Sequence, residues 1–138
     1  MKRIAISLLC FIVCALSVSA QHKFDPEKFR AELHRYIVAE AQLTPAEEKK
    51  FFPLYDEMRD KQRALHKKTR AIRKQNPTSE SACRSAIVQR DNLEVQMREI
   101  ERTYHQKFFK VLPATKVYQI LVAEEKFQKR TFKRLKNK

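Results

Sequence analysis

The sequence contains no glycine and no tryptophan. Glycine lets a backbone take positive φ or pass close to a ligand. Phosphate-binding loops, dinucleotide-binding turns and the nucleophile elbow of hydrolases all depend on it, and tight two-residue hairpins favour it. Its absence argues against nucleotide-dependent enzymes, hydrolases and β-rich folds together. Cysteine is scarce: Cys10 and Cys14 sit in an N-terminal apolar run, and Cys83 is the only other one. One thiol cannot build an intrachain disulfide framework. Cys83 is left either to pair between chains in an oxidising compartment or to serve as a small buried or idle thiol. Acids are outnumbered, 16 against 30 Lys and Arg, for a net charge of +14. Such a balance bears on partners and solubility, not on fold.

After residue 20 no apolar run is long enough to cross a bilayer. The first twenty residues have the layout of an export signal. Lys2 and Arg3 are followed by an almost wholly apolar stretch over residues 4–18, and Val18-Ser19-Ala20 offers a cleavage point before Gln21. The expectation is export, with residues 1–20 removed after Ala20. A retained N-terminal anchor is the alternative. A lipid anchor is not expected, because neither Cys10 nor Cys14 follows a small residue. Residues 21–138 then form one small domain with a charge of about +12, Lys2 and Arg3 being lost. For an exported chain nucleic acid is a poor partner. Unfolded or acidic proteins and lipid phosphates are better ones.

The chain is organised around residues 43–75. Thr44 can cap a helix, Pro45 suits its first position and Glu47 can close a capping box. Phe51, Met58, Leu65 and Ile72 recur every seventh residue, with Leu54 or Tyr55 between the first two, which is the seam of a long helix lying along a partner. Arg59, Arg63, Lys67, Arg70 and Lys74 share another face. Pro53 predicts either a bend near residues 49–53 or a separate short helix before it. A first helix over residues 26–41 is predicted from the cap Asp25, from Pro26, from a staple of Phe24 on Phe29, and from an apolar stripe of Phe29, Leu33, Tyr36 and Ile37. Asn76-Pro77 breaks the chain, and Thr78 or Ser79 can cap a third helix over about 80–110 with a seam of Ala86, Leu93, Ile100 and Phe108. Two long helices joined by so short a loop must be antiparallel. A loop centred on Pro77 sets Met58 opposite Met97 and Phe51 opposite Tyr104. Leu112-Pro113 turns the chain into a fourth helix over about 114–135, with Val117, Leu121, Phe127 and Leu135 on its apolar side, Ile120 and Phe132 beside them, and a basic end. The predicted fold is all-α, four helices around a long, bent antiparallel hairpin. Its thin interior leads us to expect a homodimer.

Residues 43–47, Leu-Thr-Pro-Ala-Glu, resemble the repeated LTxxQ motif of the Spy/CpxP family of periplasmic stress proteins, with a second, looser copy at residues 112–116. The family-motif positions here are Leu43, Thr44, Glu47 and Leu112, with Glu47 where the family has Gln. The chain looks most like the Bacteroidetes versions, through residues 51–55 (FFPLY) and the segment from Leu112 to Phe127. The resemblance implies a bent hairpin that dimerises into a cradle and holds unfolding proteins without ATP. It also leaves open a regulatory or scaffold partner of an envelope stress sensor or of an anionic envelope surface, and zinc-binding relatives exist. On this view Arg59, Arg63, Lys67, Arg70 and Lys74 supply the cationic part of a client surface, and Phe52 and Met58 its apolar patches. Without the resemblance, the stripe reads as a solvated helix face and the apolar residues as core or dimer seam.

No cofactor, metal or catalytic group is expected. His22, His34, His66 and His105 form no HExxH and no Cys/His ligand spacing. The pairs Glu47-Glu48 and Glu124-Glu125 are adjacent, so their side chains diverge on a helix. The chain also lacks the loops that usually carry active sites.

Overall fold

A computed structural model describes residues 25–137. The predicted export signal over residues 1–20, His22, Phe24 with its staple, and the side chain of Leu135 lie outside the described residues. Four helices follow in order, with no strand among the described residues: α1 Pro26–Ala41, α2 Pro45–Lys74, α3 Glu80–Phe108 and α4 Ala114–Lys136. The fold is all-α, as the composition and periodicity predict.

Local chemistry sets the helix starts. The Asp25 carboxylate accepts from the amides of Glu27 and Lys28 at 3.0 and 3.1 Å. Thr44 and Glu47 form a complete capping box: Thr44 Oγ1 accepts from the Glu47 amide, and the Glu47 carboxylate accepts from the Thr44 amide at 2.8 Å. Ser79, not Thr78, caps α3 by accepting from the Ala82 amide. The ends show the cost of having no glycine. Gln42 and Asn76 take left-handed φ of 48° and 44°, a region in which a side chain with Cβ is crowded and which Asn tolerates better than most. Cys83 is half-buried and steadies the second of these turns, its Sγ donating to the Pro77 carbonyl at 3.3 Å.

Pro53 lies inside α2, which runs unbroken across it. Of the two expectations, a separate short helix is therefore excluded. Proline forfeits one backbone hydrogen bond, and the rings of Phe51, Phe52 and Tyr55, which flank it in sequence, pack on one another.

α2 and α3 pack as an antiparallel hairpin, but its register differs from the expected one. Phe51 meets Phe108 edge-on at 4.9 Å, not Tyr104. Gln62 reaches Glu101 at 3.3 Å. Met97 packs with Leu65, Ile72 and Leu93, while Met58 belongs to a different cluster. Near the open end the pairing lies about one turn further along α3 than a hairpin centred on Pro77 allows. The two helices are thus offset along their axes and are not symmetric about the loop.

The second packed pair is α1 with α4. Phe127 sits between Phe29 and Tyr36, with ring centroids 5.4 and 5.5 Å away, and Lys126 bonds Glu40 at 3.2 Å. This pair covers only one end of the hairpin. There, Leu33 and Ile37 of α1, Phe51, Tyr55 and Met58 of α2, Tyr104 and Phe108 of α3, and Val117, Ile120 and Ala123 of α4 form one core. Beyond it α2 and α3 continue alone, held by the buried trio Leu65, Ile72 and Leu93. The molecule therefore has a four-helix base and a two-helix arm.

Candidate functional site

Residues 43–47 and 112–116 meet at the base. Leu43 and Leu112 each lie just before a helix start and are both buried in the main core. The last residues of these two segments touch: Lys116 Nζ donates to the Glu47 carboxylate at 2.6 Å and to the Gln42 carbonyl at 3.0 Å. The Lys116 ammonium and the Thr44 amide hold the Glu47 carboxyl below its usual range. In the second segment Pro113 stands at the cap position and makes no side-chain cap bond. Leu43 and Leu112 are thus buried at the starts of α2 and α4, and Thr44 and Glu47 are engaged in the capping box and the contact with Lys116.

The cationic stripe divides in two. Arg59 turns inward, donating to Glu124 of α4 at 2.9 Å and to Gln62 Oε1 at 3.0 Å. Its side chain is 28% exposed and that of Glu124 only 11%. Arg59 therefore ties α4 to the hairpin and leaves the candidate surface. Arg63 pairs with Asp60 on its own helix. Both of those side chains are well exposed, so the pair is weak and Arg63 stays hydrated. Lys67, Arg70 and Lys74 lie on the arm, exposed, with no carboxylate partner among the described residues. At about 3.6 residues per turn they sit on the side of α2 opposite Leu65 and Ile72.

The two apolar candidates belong to the base. Met58 is 2% exposed and part of the main core, so no client can reach it in this conformation. Phe52 is half-buried, stacked on the His34 imidazole with ring centroids 4.0 Å apart. His34 Nε2 lies 2.9 Å from Asp56 Oδ1, and Arg30 also binds Asp56. These groups border a cleft of about 220 Å³ between α1 and α2, which Phe29 and Tyr55 also line, below the size usual for a small-molecule site. The exposed apolar side chains are elsewhere. Ile87, Val88 and Val95 of α3 are each more than half exposed, and Val88 and Val95 fall opposite Leu93, away from α2. Sequence reasoning assigned them no role. The available signal was an apolar pair seven residues apart that the α3 seam did not use.

Among the described residues no group of three or more His, Cys, Asp or Glu could hold a metal ion, and none of the helices is long and apolar enough to cross a membrane. No protein-family model, no curated protein and no solved structure matches this chain.

Proposed function

We propose that this is an exported, ATP-independent holding chaperone of the periplasm, related to the Spy/CpxP proteins, acting as a homodimer and gripping unfolding or acidic proteins with the arm. The observation that carries the reading is the unneutralised cationic side of the arm. Lys67, Arg70 and Lys74 are exposed without carboxylate partners, and Ile87, Val88 and Val95 expose apolar surface on the other helix of the same arm. Two helices without a covering layer leave both kinds of surface open, on opposite edges of the hairpin, so a flexible chain touches both by wrapping the arm. Long-range attraction captures an anionic segment, and apolar contact then holds it; the first step weakens with salt. The residues proposed to bind are narrower than the full stripe: Lys67, Arg70 and Lys74, with Arg63 at the edge.

The test is light scattering of a chemically denatured client diluted into buffer with purified residues 21–138. Aggregation is suppressed near stoichiometric amounts without nucleotide, and less so at high salt. No suppression across several clients removes the proposal. A single saturable partner recovered by crosslinking, with no general effect on clients, favours a regulatory partner of an envelope sensor instead.

A further inference from the structure

Tyr118 and Phe132 are 70% and 71% exposed, more than any other large apolar side chain among the described residues. Both belong to α4. At about 3.6 residues per turn they fall on one side of that helix, together with Glu125, Lys129 and Lys136 and with Lys133 on the flank. The opposite side carries Val117, Ile120, Ala123 and Glu124 into the base. Sequence periodicity set Phe132 beside the apolar side of α4; the structure turns it out to solvent.

The chemistry around Phe132 is of one sign. No acid follows Glu125, whereas Lys126, Lys129, Arg130, Lys133, Arg134, Lys136 and Lys138 do. Glu125 is taken up by Lys129 at 2.6 Å, and Lys126 by Glu40. Lys133, Arg134 and Lys136 have no carboxylate partner among the described residues. A second copy of the chain is a poor occupant for this face, because it brings the same excess of cations, with Glu125 the one acid against Lys129, Lys133 and Lys136. The occupant must bring negative charge and also accept two aromatic rings about 21 Å apart along the helix.

We propose that the outer face of α4 docks on an anionic lipid bilayer. The helix lies flat, lysines meet the headgroup phosphates, and Phe132 and Tyr118 enter the headgroup–acyl boundary, where amphipathic helices with such faces settle. A nucleic-acid groove would satisfy the cations but gives no reason for the two exposed rings. The proposal concerns the base and stands apart from client binding by the arm.

The chain has no tryptophan, so Phe132→Trp gives a single reporter. Residues 21–138, which contain all four helices and both apolar clusters, are mixed with vesicles of phosphatidylcholine alone or with phosphatidylglycerol. The expected result is a blue shift and quenching by brominated acyl chains only with the anionic lipid, reversed by salt. By sedimentation, Lys133→Gln with Lys136→Gln weakens partitioning about thirtyfold, while Lys67→Gln with Arg70→Gln leaves it unchanged. Helical circular dichroism checks that each variant is folded. Absent quenching overturns the proposal, as does equal binding to both vesicle types or dependence on the arm residues. Tighter binding of an oligonucleotide through the same lysines reassigns the face to nucleic acid. Competition by inorganic phosphate at matched concentration reduces it to a free-phosphate site, and a blue shift without vesicles that grows with protein concentration reassigns it to a second copy.

Discussion

A base with an arm predicts two classes of core mutation. Phe51 is fully buried, 4.9 Å from Phe108 and packed on Phe52 and Tyr55, in a core to which all four helices contribute. Truncating such a residue costs about 3–5 kcal/mol, including edge-on ring contacts of about 0.5–1.5 kcal/mol each. We expect about 4 kcal/mol for Phe51→Ala, a large part of the roughly 5–15 kcal/mol that holds a domain together. Leu65 is also buried, but its cluster has only two other buried members and two helices. That site can collapse after truncation, which places Leu65→Ala near the low end of its range, about 2 kcal/mol. Urea titration followed by circular dichroism gives both costs, and amide hydrogen exchange shows where they fall. Phe51→Ala speeds exchange in all four helices. Leu65→Ala speeds it mainly in the second half of α2 and the first half of α3, because the arm opens locally while the base stays closed. If Leu65→Ala accelerates α1 and α4 as much as the arm, the molecule is one cooperative body and the division into base and arm is wrong.

The depressed Glu47 carboxyl gives a pH dependence of known sign. Its stabilisation is present above the ordinary value of 4.5 and is lost as pH falls through the lowered folded value. Glu47→Gln is therefore less stable than the parent at neutral pH, and thermal melts of the two converge in strong acid. Glu124→Gln leaves Arg59 at the base without its charge partner. We expect a loss of about 1–3 kcal/mol, less than for a fully buried pair because Arg59 reaches water, and recovery when Arg59→Met is combined with Glu124→Leu; urea midpoints measure both. Gln42→Gly relieves the left-handed backbone at the end of α1 and keeps the carbonyl that Lys116 binds. Its melting temperature rises, for a gain of about 0.5–1 kcal/mol.

Helix starts were legible because they are local chemistry. Asp25, Thr44 with Pro45 and Glu47, and Ser79 act within a few residues of themselves, and Asn76-Pro77 breaks the chain wherever it occurs. What the sequence could not show is which element covers which face. Spacing places Arg59 and Lys67 on one stripe of α2, but only the docking of α4 over the base makes the first structural and leaves the second exposed. For Met58 the seam spacing points to the core, where it lies, and the client patch that the resemblance implies fails because all four helices seal that part of the seam. Phe132 follows a helical apolar spacing, yet α4 is rotated so that Ile120, Ala123 and Glu124 face inward. The hairpin register escaped because loop length constrains the turn and not the axial offset of the helices beyond it.

The central claim is that the exposed cations of the arm hold client, and a comparison of charge reversals tests it most directly. Fluorescence anisotropy measures the affinity of the parent chain for a labelled, permanently unfolded client, beside Lys67→Glu/Arg70→Glu/Lys74→Glu on the arm and Lys126→Glu/Lys129→Glu on the base. The account predicts that the arm variant loses at least tenfold in affinity and most of its salt dependence, while the base variant, with a smaller change in cationic charge, stays close to the parent. Equal losses in the two, or an arm variant that binds like the parent, would contradict it.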